Sequence, residues 1–397
     1  MLLLSGYEQT LPCKIENIKF RKVRIVMKRK SMLRRAAALL LIMCLLSVAG
    51  CSSQKGNGIQ TEVSSVSKET ETAALTESSK EENGGIRTVI NIDGTKVEIP
   101  AEVTGVAPTI GAFAHITAML GGSEQIAASI KDLSPIFYSV WPKTNPDGHD
   151  TSSMEDIIAS GAQVVYGPNF TDEQRGQLEA AGIAVLQINA FSNAEEMKSI
   201  VTLIGDILGN DGPERAKAFN AYYDSNIEYV KTMTKDLDEN QKVRVLNLRY
   251  GGDNYTTVNG KDISAFYVEA AGGSFVSGDY QGTGGAMTVN AEQIIEWDPD
   301  VIFTMGRSAH DQIVNDPALA SVSAVANGNV FTEPSGTYPW SVRSAEGALM
   351  PLFLAKIMYP DIFKDLSVED KTREFYKDMY GYSLSDEEVK TIMAGRE

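Results

Sequence analysis

Residues 154–166, MEDIIASGAQVVY, align without gaps on residues 291–303, AEQIIEWDPDVIF. In each copy a glutamate (Glu155, Glu292) precedes an isoleucine pair (Ile157 and Ile158, Ile294 and Ile295). A small residue or proline then breaks the pattern, and a buried strand begins at Val164 or Val301. A short helix opening on an acid and running into an apolar strand is the building unit of a parallel sheet covered by helices. Such units resemble one another in any α/β chain, so the echo by itself weighs equally for an internal duplication and for shared pattern.

Working outward, 88–103 (TVINIDGTKVEIPAEV) alternates around Asp93-Gly94 and reads as a β-hairpin. Strand-like and helical runs then alternate as far as about Asn210: GAFAHITAML closed by Gly121-Gly122, IAASI, MEDIIASG, AQVVYG, DEQRGQLEAAG, IAVLQI and NAEEMKSIVTLIGDIL. Pro213 with Glu214 opens a helix that the pattern carries to Asp238, with Phe219, Tyr223, Ile227 and Val230 on one face. At 1.5 Å per residue such a helix is roughly 39 Å long, about the span of a domain. Alternation resumes with VRVLNLRY, AFYVEAAGG, AEQIIEW and DVIFTMG. The fold class expected is α/β: two Rossmann-like lobes with central, mostly parallel sheets joined by one long helix. The lobes are placed at 87–210 and 240–397, and the linking helix at 211–239.

Charge excludes one class of partner. The chain has 36 Lys plus Arg against 52 Asp plus Glu, a net −16. The first fifty residues hold ten basic groups and two acidic ones, so the remainder stands at −24. A body this acidic repels phosphate backbones and is no nucleic-acid binder.

Cys13, Cys44 and Cys51 are the only cysteines and all lie in the first 51 positions, so they build neither a disulfide framework nor a thiolate metal site in the body. Lys28 to Arg35 is basic and Ala36 to Ala49 is a fourteen-residue apolar run ending in small residues before Gly50-Cys51. That is signal-peptide physics, because a membrane-spanning helix needs roughly 20 apolar residues. Residues 1–50 are read as a signal peptide whose start is Met27 or Met32. Val48-Ala49-Gly50-Cys51 resembles a bacterial lipobox, which implies lipidation of Cys51. Residues 51–86 carry no aromatic side chain and read as a flexible tether. Its span is roughly 30 to 35 Å.

No dinucleotide loop, phosphate loop, HExxH or GxSxG motif occurs, so no catalytic residue is assigned. The three histidines, His115, His149 and His310, are far apart and lack ligand spacing, so no metal site and no resident cofactor are expected. His115 falls in an apolar helix, where a core or capping role is expected, and His149-Asp150 in a polar loop. The candidate ligand-binding residues are rings and guanidinium groups of loops after strands: Tyr138, Trp141, Tyr166, Arg249, Tyr250, Tyr255, Tyr280, Arg307, Tyr338, Trp340 and Arg343. Ligands of open α/β sheets bind beyond the carboxyl ends of strands, where such loops gather. Rings stack flat organic groups and arginines pair anions. About half of these side chains are expected simply to cover hydrophobic edges.

The VAGC signal, the tether, the hairpin before GVAPTIGAFAHITAMLGGSEQIAA, the paired MEDIIASGAQVVYG and AEQIIEWDPDVIFT units and the linking helix together resemble substrate-binding lipoproteins of ABC importers. The branch is the helix-bridged one that serves ferric siderophores, haem, cobalamin and oxyanions such as molybdate. The resemblance implies a monomer anchored outside the cytoplasm that binds cargo between its lobes and docks on an ABC permease with its ATPase. It places the docking glutamates at Glu155 and Glu292. A local role stands beside that one, Ser152 and Glu155 forming a capping box and Glu292 lying in a helix first turn. The cargo expected is a metal already wrapped in a chelator. A molybdate-type oxyanion is the alternative, and Tyr250, Tyr280 or Met305 are the side chains that would reach a metal directly. A continuous helix between lobes implies a small hinge motion. A membrane-anchored hydrolase using His149-Asp150 and a surface sensor are the readings from other classes.

Overall fold

The structure is a computed structural model in which residues 85–397 are described, save 132, 190, 283 and 284. The signal peptide, Cys51 and nearly all of the tether lie outside the described residues.

The first strands are β1 (Ile86–Ile90) and β2 (Lys96–Pro100), the antiparallel hairpin read from the sequence. Its turn is fixed by Asp93, whose carboxylate accepts from the Thr95 amide and hydroxyl, and by Gly94 at φ 82°. There follow β3 (Val106–Pro108), α1 (Gly111–Thr117), α2 (Pro135–Val140), α3 (Met154–Ala159), β4 (Val164–Gly167), α4 (Asp172–Ala180), β5 (Ala184–Gln187) and α5 (Ala194–Leu208). Strands β3, β4 and β5 form a parallel sheet with β4 in the middle, Val164 pairing with Val106 on one side and Ala184 on the other. Every residue of β4 is buried.

Helix α6 (Gly212–Thr234) then runs for 23 residues, about 34 Å. Phe219, Tyr223, Ile227 and Val230 all face inward, as their spacing predicts. The helix stops four residues short of Asp238 because Asp238 is spent otherwise: its side chain and that of Gln241 cap a following single turn. The start of α6 lies against α5 with backbones nearly touching. A Cβ added at Gly205 would come 2.7 Å from the Gly212 carbonyl oxygen.

The second half contains β6 (Arg244–Asn247), β7 (Arg249–Gly251), β8 (Asn254–Thr257), α7 (Ile263–Ala270), β9 (Ser274–Phe275), β10 (Met287–Val289), α8 (Ala291–Trp297), β11 (Val301–Thr304), α9 (Arg307–Asn315), α10 (Ser323–Ala326), β12 (Val330–Thr332), α11 (Met350–Met358), α12 (Val368–Phe375) and α13 (Asp386–Ala394). The order β12-β11-β6-β9 is parallel throughout. The repeated sequence unit therefore delivers equivalent pieces: α3 leads into the central strand of one sheet, and α8 into an inner strand of the other.

Two loops of the sequence reading are ordered elements. Residues 249–257 form the β7–β8 hairpin, to which β10 adds antiparallel; its turn has Gly252 at φ 58° and Asp253 at φ 63°. Two consecutive positive φ values match the right-handed twist of a hairpin. Residues 135–140 form α2, begun by Ser134, which caps the Phe137 amide, and Pro135. The main hydrophobic core runs through α5, α6, α11 and α12, with Ile204, Phe219, Tyr223, Leu352 and Phe375 in one cluster. The linking helix is thus part of the core rather than a free strut, and Asn226 on it donates to the Ala348 carbonyl at 2.8 Å.

Candidate functional site between the lobes

The segments that follow β3 and β5 meet the segment that follows β12 in a junction of direct contacts. His115 on α1 accepts the Ala345 amide at Nε2 (2.7 Å), while Nδ1 lies 3.0 Å from the Gly111 carbonyl. This pattern assigns the proton to Nδ1, and burial lowers the imidazole pKa to about 4. The ring stacks on Tyr338 with centroids 5.1 Å apart. Gly111 leaves no room for a side chain there, since a Cβ would sit 2.7 Å from the Tyr338 ring. The Ser134 hydroxyl donates to the Gly336 carbonyl at 2.8 Å. Arg343, held in the left-handed region at φ 54°, donates from Nε to the Phe191 carbonyl (3.0 Å) and lies 3.4 Å from Asp262. A non-glycine residue in that region is strained, and such strain collects at ligand clamps.

The second-lobe face is the segment 333–346, which one buried acid organises. Oε1 of Glu346 accepts from the Thr337 amide (2.8 Å), the Thr337 hydroxyl (2.6 Å) and the Tyr376 hydroxyl (2.8 Å), with the Tyr380 hydroxyl at 3.3 Å. Oε2 accepts from the Trp340 indole at 2.7 Å. Burial raises this carboxyl's pKa and the donors work against the rise. A second buried acid, Glu333, follows β12 directly and is 1% exposed, and no hydrogen bond of good geometry reaches its oxygens, Ser341 being the nearest donor. Burial pushes it up to about 7, partly opposed by Ser341 and by the guanidinium groups of Arg249 and Arg396.

The sequence candidates divide by environment. Tyr338 and Arg343 come together at the junction, and Arg249 lies beside Glu333. Tyr250 lies edge-on to Tyr255, whose hydroxyl donates to Asp316 at 2.6 Å. Tyr280 packs against Trp297 and donates to the Thr288 carbonyl at 3.2 Å. Arg307 pairs with Glu397 at 2.7 Å. Tyr166 and Trp340 are fully buried, the first hydrogen-bonded to Thr117 and the second to Glu346. Trp141 is buried against Phe137 and Tyr380, and Tyr138 is exposed with its ring edge-on to Phe137. Sequence reasoning passed over Glu333, Glu346, Thr304 and Ser341. An acid placed immediately after the half-buried strand ending at Thr332 was the one available signal, since carboxyls are seldom buried there without a use.

Glu155 and Glu292 are exposed in the first turns of α3 and α8. The cap of α3 is Ser153, which accepts the Asp156 amide, and not Ser152. The Ser152 amide is instead taken by Asp150, which shifts the helix start by one residue. His149 has Asp156 as its acidic neighbour, 4.0 Å away. Among the described residues no group of three or more His, Cys, Asp or Glu side chains is placed to hold a metal ion.

Residues 89–337, well over half of the chain, match the family model described as periplasmic binding protein. The chain belongs to this family. Its members are extracytoplasmic solute-binding proteins that serve ABC transporters, not enzymes. Among curated proteins, this binding protein is 24% identical over 318 residues to the molybdate-binding protein MolA of Haemophilus influenzae, covering 72% of this chain and 88% of that one. It is 25% identical over 186 residues to a cobalamin-binding protein of Halobacterium salinarum, about half of either chain. Among solved structures, a periplasmic solute-binding protein of Veillonella parvula aligns with a TM-score of 0.66 and 25% identity, covering 78% of this chain and 97% of that one. MolA of H. influenzae with bound molybdate aligns with a TM-score of 0.66 at 20% identity, covering 75% and 99%, a likeness of fold.

Proposed function

We propose that this binding protein captures a small tetrahedral oxyanion of the molybdate class at the lobe junction and hands it to an ABC permease. The observation that carries this reading is the chemistry gathered there: the guanidinium groups of Arg249 and Arg396 around the buried Glu333 and Ser341, Arg343 one step further beside Tyr267, and the buried Thr304 hydroxyl without a partner. Guanidinium groups and hydroxyls fit a compact anion, whose oxygens accept from every side. The rings that would line a wall for a flat chelate are largely committed elsewhere, since Trp340, Tyr166 and Trp141 are buried within the protein. The relation to the molybdate-binding protein, extending over most of both chains, agrees.

A chelated metal of the ferric siderophore, haem or cobalamin type is the second reading. Tyr250 and Tyr255, paired edge to face on the β7–β8 hairpin, and the partial likeness to a cobalamin-binding protein favour it. Titrating the purified protein with molybdate, tungstate, sulfate and phosphate, and separately with ferric siderophores, haemin and cobalamin, decides between them. Fluorescence from Trp141, Trp297 and Trp340 reports binding. Stoichiometric binding of an oxyanion alone is expected, with Arg343→Met weakening it at least tenfold, about 1.4 kcal/mol. Binding of a chelate alone would replace the first reading by the second.

Delivery on this proposal uses Glu155 and Glu292, one on each twin helix, as acids that pair with basic residues of the permease, and Cys51 as the lipid anchor of a monomer. Charge reversal at both glutamates should abolish cargo uptake by cells while leaving cargo binding intact. Unchanged uptake removes the docking assignment.

A further inference from the structure

Several buried polar atoms without partners gather at one end of the second-lobe sheet. Thr304 ends β11 and Glu333 follows β12, and the Glu333 amide donates to the Thr304 carbonyl at 2.9 Å. Asn247 ends β6 beside Phe303 of β11 and accepts from Arg249 Nε at 3.3 Å. Asn247 in turn donates to the Ser264 hydroxyl, whose own proton goes to the Asp262 carboxylate at 2.8 Å. The Thr304 hydroxyl and Arg249 Nη2 are buried and unpaired, and the buried Glu333 carboxyl has only Ser341 as a close donor, with no hydrogen bond of good geometry between them. Each orphaned buried polar group costs about 1 to 3 kcal/mol, so a cluster in one place points to an occupant that supplies the missing partners.

We propose that this cluster is the second-lobe wall of the cargo site, and that Glu333 takes up a proton from solvent as the oxyanion enters, becoming a hydrogen-bond donor to it. The inference rests on the oxyanion reading above and adds to it a proton that travels with the cargo. An ionised Glu333 would repel a dianion in these buried surroundings, whereas its neutral acid donates one hydrogen bond and leaves the guanidinium charge to the cargo. The groups facing it from the surrounding elements are Arg249 on β7, Tyr267 on α7, Ser341 in its own segment and Arg396 beyond α13; Asp262 and Arg343 lie one step further, beside Tyr267. None of the nearer ones is a carboxylate that would compete for the proton. Burial already brings Glu333 to about 7 in the unloaded protein, so the uptake falls in a measurable range.

Calorimetry of molybdate binding at pH 6, 7 and 8, each in two buffers of different ionisation enthalpy, counts the protons. Expected are about 0.9 proton taken up at pH 8 and about 0.1 at pH 6, with binding about tenfold weaker at the higher pH. Glu333→Gln should bind with no uptake and no such pH dependence, and Arg249→Met should weaken binding and, by removing a cation that holds Glu333 down, reduce the uptake at pH 8. An infrared carboxylic-acid band gained by the wild-type protein on adding molybdate at pH 8 tests the same point should the Gln variant fail to fold. Molybdate binding without proton uptake, or uptake retained in the Gln variant, overturns the inference and leaves the oxyanion reading standing. Absence of any oxyanion binding, with a ferric chelate bound instead, overturns both.

Discussion

Glu333 and Glu346 are carboxyls of one segment, both buried and both raised in pKa by that burial, yet their surroundings are opposite. Glu346 receives hydrogen bonds from Thr337, Trp340, Tyr376 and Tyr380 and fixes the path of the chain. Glu333 has only Ser341 near it, and no hydrogen bond of good geometry. A buried acid that is satisfied builds structure, and a buried acid left open is, on the proposal above, where structure has been given up for binding. The same contrast separates the aromatic residues of the region: Trp340 serves the frame through Glu346, while Tyr338 reaches the opposite lobe to stack on His115.

The comparison is broken most severely at its satisfied end. Glu346→Ala leaves several buried donors without an acceptor and should cost about 3 to 5 kcal/mol in urea unfolding. Glu333→Leu removes an orphan and should leave the midpoint unchanged or raise it, while abolishing cargo binding. Equal losses from both substitutions would erase the distinction.

The next effect is a pH slope. Glu333 is raised in the folded state, so between its unfolded value and about 7 the folded protein holds more protons than the unfolded chain. Its contribution is therefore most favourable at low pH and declines as pH rises through that window, by about 3 kcal/mol in all. Unfolding free energies of Glu333→Gln and wild type should diverge by that amount from pH 4.5 to 7, the variant gaining. His115 runs the other way. Its folded pKa, lowered to about 4, makes its contribution complete above the unfolded value and lost as pH falls through 4. Nitrogen NMR should find His115 neutral at pH 5.5 with the proton on Nδ1, and a charged ring at that pH would remove the bond to Ala345.

A smaller effect tests the frame. Gly205→Ala pushes α5 against the α6 backbone and should cost about 1 to 3 kcal/mol, without moving the proton count at Glu333.

The fold was legible because its signals are local and periodic. The repeated MEDII and AEQII units, the face formed by Phe219, Tyr223, Ile227 and Val230, and the Asp93-Gly94 turn each announce an element within a few residues. Signals of the same kind were present for α2 in Ser134-Pro135 and for the β7–β8 hairpin in Gly252-Asp253, where reading them as loops missed the element. The site was less legible because its partners are distant in sequence. Glu346 meets Tyr376 and Tyr380, 30 and 34 residues on, and His115 meets Ala345 across 230. Composition identified Arg249, Tyr338 and Arg343 as candidates; whether a ring such as Trp340 faces cargo or core depends on contacts that no local pattern encodes.

Crystals grown with tungstate and measured at the tungsten absorption edge test the central claim most directly. A single strong anomalous peak is predicted at the junction, within hydrogen-bond reach of Arg249, Glu333, Ser341 and Arg343. A protein saturated with tungstate whose peak lies away from these residues would contradict it.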